Sequence, residues 1–116
     1  MQTTEARKLS IYMGDATRYG PRPMCRTIVK LLHEEEIAGV TVLRGIEGYG
    51  STMQIRMAKI EFLSLNLLPV VIVAVDHKEK IEAAIPKVEE VVVTEGLMSV
   101  EKVEVVSPAS AVARVR

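Results

Sequence analysis

The chain of 116 residues has no tryptophan, three tyrosines, one phenylalanine, two histidines, a single cysteine and no excess of either charge. Each scarcity excludes something. A zinc site lacks ligands, because Cys25 has no second sulfur to join it and His33 and His77 form no His-x-x-x-His pair. One cysteine forms no internal disulfide, and no signal pattern precedes the first strand, which predicts a reducing, cytoplasmic setting. Fifteen acidic residues balance fifteen basic ones, so no overall field draws nucleic acid or an anionic membrane. Tyr12, Tyr19, Tyr49 and Phe62 are too few for base stacking, and nucleic acid is not expected as a partner. The longest apolar run, Leu67 to Val75, is interrupted by Pro69 and is too short to cross a bilayer. No Ser/His/Asp or Cys/His set stands at a spacing that brings its members together, and Glu34, Glu35 and Glu36 read as a solvated face. The chain is therefore expected not to be an enzyme.

What is present alternates between strand and helix patterns. The length suits one domain over residues 1–116, with a core of about 5–106 and a tail over 107–116. Met1 to Thr4 read as a frayed terminus; Leu9, Ile11 and Met13 then alternate with Lys8, Ser10 and Tyr12, a strand ending at Gly14 and Asp15. Gly20, Pro21 and Pro23 make the next segment a loop carrying Arg18 and Tyr19. Pro23 suits the first turn of a helix that runs to about Ile37 with Gly39 as its C′ stop, on the spacing of Met24, Ile28, Leu31 and Leu32. Val40 to Val42 begin a second strand. Met53 to Leu65 alternates again, and Val70 to Val75 has the continuous β-branched run of a central strand covered on both faces. Asp76 and Glu79 form an Asp-x-x-Glu capping pattern for a second helix carrying Ile81, Ala84, Ile85, Val88, Val91 and Val92, with a kink or restart at Pro86 and an end at Gly96. Val103 to Val106 make the last strand. The expected fold is α+β: a ferredoxin-like βαββαβ split sheet with two helices on one face and a long insertion between the second and third core strands. Two helices cover one face only, so the other needs a partner, which points to an oligomer.

The stretch from Gly39 to Thr52 carries the chemistry. Its strand passes through Arg44 into Gly45, Gly48 and Gly50 and closes on the hydroxyls of Ser51 and Thr52. Glycines bring main-chain N–H groups close to an anion, and Arg44 supplies a cation. The same spacing also suits a plain glycine-rich hairpin with a surface arginine.

That stretch, with Leu68-Pro69-Val70-Val71-Ile72 followed by Asp76 and the turn Glu95-Gly96-Leu97, resembles the PII-like family catalogued as domain of unknown function 190 over roughly residues 5–106. The more distant nitrogen-regulatory PII proteins have a similar Gly-Met-Thr-Val and Gly-Phe-Gly at the base of a mobile loop, where this chain reads Gly39-Val40-Thr41-Val42 and Gly48-Tyr49-Gly50. The resemblance implies a homotrimer that binds an adenine nucleotide between subunits and reports through the loop to a protein partner not identified by the motifs. It carries over to Thr41, Gly48, Tyr49, Gly50, Ser51 and Thr52, with Gly14 at the end of the first strand and Arg44 and Arg18 as candidate cations. PII proteins hold phosphates with a Thr-Gly-x-x-Gly-Asp-Gly-Lys segment. This chain has Thr94-Glu95-Gly96-Leu97, acid where lysine is expected, so AMP or ADP fits better than ATP. The alternative is a metal-binding trimer similar to the copper-tolerance proteins of related fold.

Overall fold

The structure, a computed structural model, describes residues 2–49, 56, 57, 68–92 and 96–107. The elements run β1 (Gln2–Gly14), β2 (Arg18–Tyr19), β3 (Arg22–Pro23), α1 (Met24–Glu34), β4 (Gly39–Arg44), β5 (Glu47–Gly48), β6 (Arg56–Met57), β7 (Pro69–Asp76), α2 (Lys78–Val91) and β8 (Leu97–Ser107). The main sheet has the order β4-β7-β1-β8, and every neighbouring pair is antiparallel. It follows that β1 and β4 run parallel with β7 between them, and β7 and β8 run parallel with β1 between them. This is the split arrangement of two interleaved βαβ units, the ferredoxin-like α+β fold read from the element order.

Both helices cover one face. Leu9, Ile11 and Met13 of β1 and Val70, Ile72 and Ala74 of β7 point to the side on which Met24, Ile28, Leu32, Ile81, Ala84 and Val88 pack. All of these side chains are buried. Burying one such aliphatic side chain is worth about 1.5–3 kcal/mol, so this layer is the main source of cohesion. On the opposite face Val71, Val73 and Val75 are only half-buried. There, Leu43, Val71, Tyr12 and Leu97 stand side by side across β4, β7, β1 and β8. Leu43 is 54%, Tyr12 46% and Leu97 65% exposed. Coverage of β7 within the chain is thus one-sided.

Several expected boundaries move. Gln2, Thr3 and Thr4 are not frayed but pair with Ser107, Val106 and Val105, because the long β8 offers partners for their backbone groups. Ser107 consequently belongs to the strand, and residues 108–116 of the expected tail lie outside the described residues. Pro23 is the N-cap of α1, with φ −64° and ψ 126°, one residue before the helical turn. Gly39 does not stop α1. Glu36 does, at φ 57°, with its N–H on the carbonyl of His33 (3.0 Å) and the N–H of Ile37 on that of Leu32 (3.2 Å), the paired bonds of a Schellman ending. Ile37 packs beside the core in the position of the hydrophobic contact that accompanies such endings.

Asp76 does not cap α2. The N-cap is His77, and no side chain makes the capping bond. Strand alternation turns Asp76 inward, fully buried, where Oδ2 accepts the N–H of Ala38 (2.9 Å) and Oδ1 that of His77 (2.6 Å). One carboxylate thereby ties the entry to β4 to the start of α2. The second helix continues through Pro86 without restarting and ends at Val91, five residues before Gly96. Gly96, at φ 136°, opens β8 instead. Of the expected strand over Met53 to Leu65, only Arg56–Met57 lies among the described residues, paired antiparallel with Glu47–Gly48.

Candidate functional site at the base of the insertion

The glycine-rich stretch meets the rest of the chain at one end of the sheet, where β1 and β4 finish and β7 begins. Gly14 lies opposite Pro69 and Arg44 opposite Val70. Just beyond the strand ends, the N–H of Asp15 donates to the carbonyl of Leu68 (2.8 Å) and that of Gly45 to the carbonyl of Pro69 (2.7 Å), so the entry to β7 is held from both sides. Gly45 has no room for a side chain, since a Cβ there would stand 2.9 Å from Cγ of Pro69. At Gly48 the same atom is at 3.4 Å. The glycines let the main chain fold closely over the proline ring.

Alternation along β4 separates two of the expected ligand residues. Thr41, opposite Val73, is exposed on the open face of the sheet, whereas Arg44 shares the helix-side parity of Val42 and Val70. There Nη2 of Arg44 donates to Oδ2 of Asp15 at 2.5 Å. The Arg44 side chain remains 53% exposed and that of Asp15 19%. A guanidinium has five N–H donors, so this bond leaves it able to meet a second anion. Asp15 was not singled out from the sequence, although its place just after the first strand was plain; its partner depends on which way Arg44 turns.

The loop after Gly14 is rooted locally. The N–H of Thr17 donates to the carbonyl of Gly14 (3.1 Å) and that of Met24 to the carbonyl of Thr17 (3.0 Å), and the small β2–β3 hairpin projects Arg18 and Tyr19 outward from this root. Gly14 is backbone of this root, with Thr17 Oγ1 3.4 Å from where a Cβ would stand. Tyr49 is 63% exposed at the far side of Gly48. Gly50, Ser51 and Thr52 lie outside the described residues. Cys25 is half-buried beside the site; burial pushes its thiol pKa up, the Asp15 carboxylate adds to this, and Arg26 and Arg44 oppose it.

The site therefore offers close main-chain approach and one partly free guanidinium. Such groups are suited to an anion. Among the described residues no three His, Cys, Asp or Glu side chains cluster as metal ligands. No helix among them is long and apolar enough to cross a membrane.

Known proteins are similar to this chain in sequence or in fold. The UPF0166 protein MJ1524 of Methanocaldococcus jannaschii is 38% identical over 94 residues, covering 81% of this chain and 85% of the relative. Among solved structures, the chain is similar to CPII, a nitrogen regulatory PII-like protein from Thiomonas intermedia K12 bound to ADP, AMP and bicarbonate, with a TM-score of 0.71, 18% identity and coverage of 92% and 93% of the two chains. It is also similar to the divalent ion tolerance protein CutA1 from Ehrlichia chaffeensis, at a TM-score of 0.60, 13% identity and coverage of 95% and 91%. At such identities these structures speak for the fold alone. The family model described as Uncharacterized ACR, domain of unknown function 190, matches residues 6–105. Such a match spans both interleaved βαβ units, and the chain belongs to the DUF190 family.

Proposed function

We propose that this chain is a PII-like regulatory protein that binds an adenine nucleotide, AMP or ADP in preference to ATP, and acts in the cytoplasm on a protein partner rather than by catalysis. The observation that carries the reading is the convergence of Arg44, Gly45 and Gly48 on the Gly14–Pro69 end of the sheet, where backbone and a half-exposed cation meet. The nucleotide phosphate lies against main-chain N–H groups of Gly48 to Thr52, with Tyr49 beside it, and its charge is met by Arg44 and by Arg18 from the hairpin. The preference for fewer phosphates rests on the acidic Glu95 in the segment where PII proteins carry lysine. That CPII, similar in fold, is seen with ADP and AMP supports the ligand class.

The assembly in this reading is a homotrimer with the open sheet faces inward. Leu43, Val71, Tyr12 and Leu97 supply its apolar contact, and Thr41, on that face, reaches a ligand held between subunits. The insertion between β4 and β7 is the segment that meets the protein partner. The metal-binding alternative has CutA1 as a relative in fold, but the described residues bring no ligand set together, and the nucleotide reading is preferred.

Calorimetry with AMP, ADP and ATP tests the site. Arg44→Ala should weaken binding by ~1.5–3 kcal/mol, the range for a hydrogen bond to a charged group, a tenfold to hundredfold loss. Asp15→Asn should tighten binding, because it frees the guanidinium from its carboxylate. Unchanged affinity in both variants would remove Arg44 from the site, and no binding of any of the three nucleotides by the unaltered chain would remove the function.

A further inference from the structure

Several lysines and arginines among the described residues have a partner, while Arg18, Lys78 and Lys102 make no ion pair there. Arg7 meets Glu5, Lys8 meets Glu101, Arg44 meets Asp15, Lys87 meets Glu35, and Lys80 donates to the carbonyl of Glu35. Arg22, Arg26, Lys30 and His33 make no ion pair, and they stand together along an open groove on the outward side of α1, with Val29 in its lining. At 100° per residue Arg26, Lys30 and His33 face away from the buried Met24, Ile28 and Leu32. Glu34, four residues beyond Lys30, forms no ion pair with it.

The outward side of α2 has the opposite sign. Glu79, Glu82 and Glu90 are exposed, face away from Ile81, Ala84 and Val88, and likewise make no ion pair. Lys80 and Lys87 are turned toward α1 and occupied by Glu35, while the exposed Lys78, four residues before Glu82, makes no ion pair with it and stands at the margin of the acidic side. The spacings match. On the helices the basic positions step from 26 to 30 and 33, intervals of 4 and 3, and Pro86, Glu82 and Glu79 read backwards step by the same intervals, with Glu90 one turn beyond the proline. Each of these runs spans roughly 10 Å at 1.5 Å per residue. Laid antiparallel, the helices put Glu82 against Lys30, Glu79 against His33 and Pro86 against Arg26, with Glu90 beyond the proline on the side of the β2–β3 hairpin that carries Arg22. A single chain cannot make these contacts, because its two helices lie side by side on one sheet and their outward faces do not meet.

We propose that the outward face of α1 docks the outward face of α2 of a second copy of this chain. The contact is heterologous, so every copy in it keeps one unused face of each sign, and assembly continues into a ring or a filament. Exposed ion pairs are individually weak and are screened as the Debye length falls from about 10 Å at 0.1 M salt to about 3 Å at 1 M. The association is therefore reversible and confined to low ionic strength. It is independent of the nucleotide site and of any contact between open sheet faces.

Sedimentation velocity on the full chain tests this. At about 0.02 M salt the weight-average sedimentation coefficient should rise with protein concentration, and at about 1 M salt the rise should vanish. Arg26→Glu with Lys30→Glu should abolish the rise, as should Glu79→Lys with Glu82→Lys, while circular dichroism stays unchanged because all four positions are exposed. A chain carrying all four substitutions keeps the net charge of the original and exchanges the two signs, and it should associate again. The proposal is overturned if the unaltered chain shows no salt-sensitive rise, if either double variant retains it, or if the fourfold variant stays dispersed.

Discussion

Single residues at the base of the insertion are constrained by the space around them. Gly45→Ala places a Cβ 2.9 Å from the rigid ring of Pro69, and overpacking of this kind should cost ~1–3 kcal/mol in urea unfolding. Gly48→Ala, whose nearest contact is 3.4 Å, should cost distinctly less, and equal losses would show that the ring is not what holds the turn. Asp76→Ala removes the acceptor for two N–H groups of which the carboxylate is fully buried, at ~1–3 kcal/mol for each donor left unpaired. The melting temperature should fall accordingly. For Cys25 the sign follows from burial. The folded chain holds the thiol proton to a higher pH than the unfolded chain, so this group's contribution to stability is intact below the ordinary thiol pKa and is lost as pH climbs through and above it. Maleimide labelling near pH 7.5 should therefore be slower in the folded than in the urea-unfolded chain, and equal rates would contradict the burial.

At the scale of elements, the ending of α1 shows where residue type and geometry disagree. Glu36 occupies a left-handed position that glycine takes at less cost, and its negative charge lies at the helix C-terminus, where the dipole disfavours it. Glu36→Gly should leave the fold intact and raise the unfolding free energy by up to ~1 kcal/mol, allowing for the backbone entropy that glycine loses. A destabilisation in the same urea titration would mean that the carboxylate makes a contribution not visible in its contacts. The neighbouring Glu35 is the opposite case. It looked like one more acid in a solvated run, yet Lys87 Nζ lies 2.7 Å from its Oε2 and Lys80 Nζ 2.8 Å from its carbonyl oxygen, so it joins the two helices.

At the scale of the molecule, the helix face and the open face ask for different partners. The row Leu43, Val71, Tyr12 and Leu97 is apolar and crosses all four strands, which suits a contact made with the sheet of another subunit. Leu43→Asp should dissociate a trimer built on this face while leaving the helix-side core and the circular dichroism unchanged. Sedimentation equilibrium giving the same mass for the variant and the unaltered chain would exclude this row from the interface. Such a result would also remove the position between subunits at which Thr41 reaches the ligand, and would leave only the contribution of Arg44, on the other side of the sheet, to be judged by calorimetry.

The fold was legible in the sequence because its signals are local and periodic. The period of two in Leu9 to Met13, the β-branched run from Val70 to Val75 and the helical spacing of Met24, Ile28 and Leu32 each act through neighbours along the chain, and their order admits the split sheet. The glycines and Arg44 were legible as residue types for the same reason. What the tertiary structure decided is everything that depends on two distant segments. Register alone puts Thr41 and Arg44 on opposite faces, gives Arg44 to Asp15 across 29 positions, and turns Asp76 from an expected cap into a buried tie to Ala38. Pairing with β8 likewise orders Gln2 to Thr4, which by themselves carry no strong strand signal. Propensity describes what a segment tolerates, whereas a hydrogen bond or an ion pair between segments exists only after packing has brought both ends together, and that information is not contained in either segment.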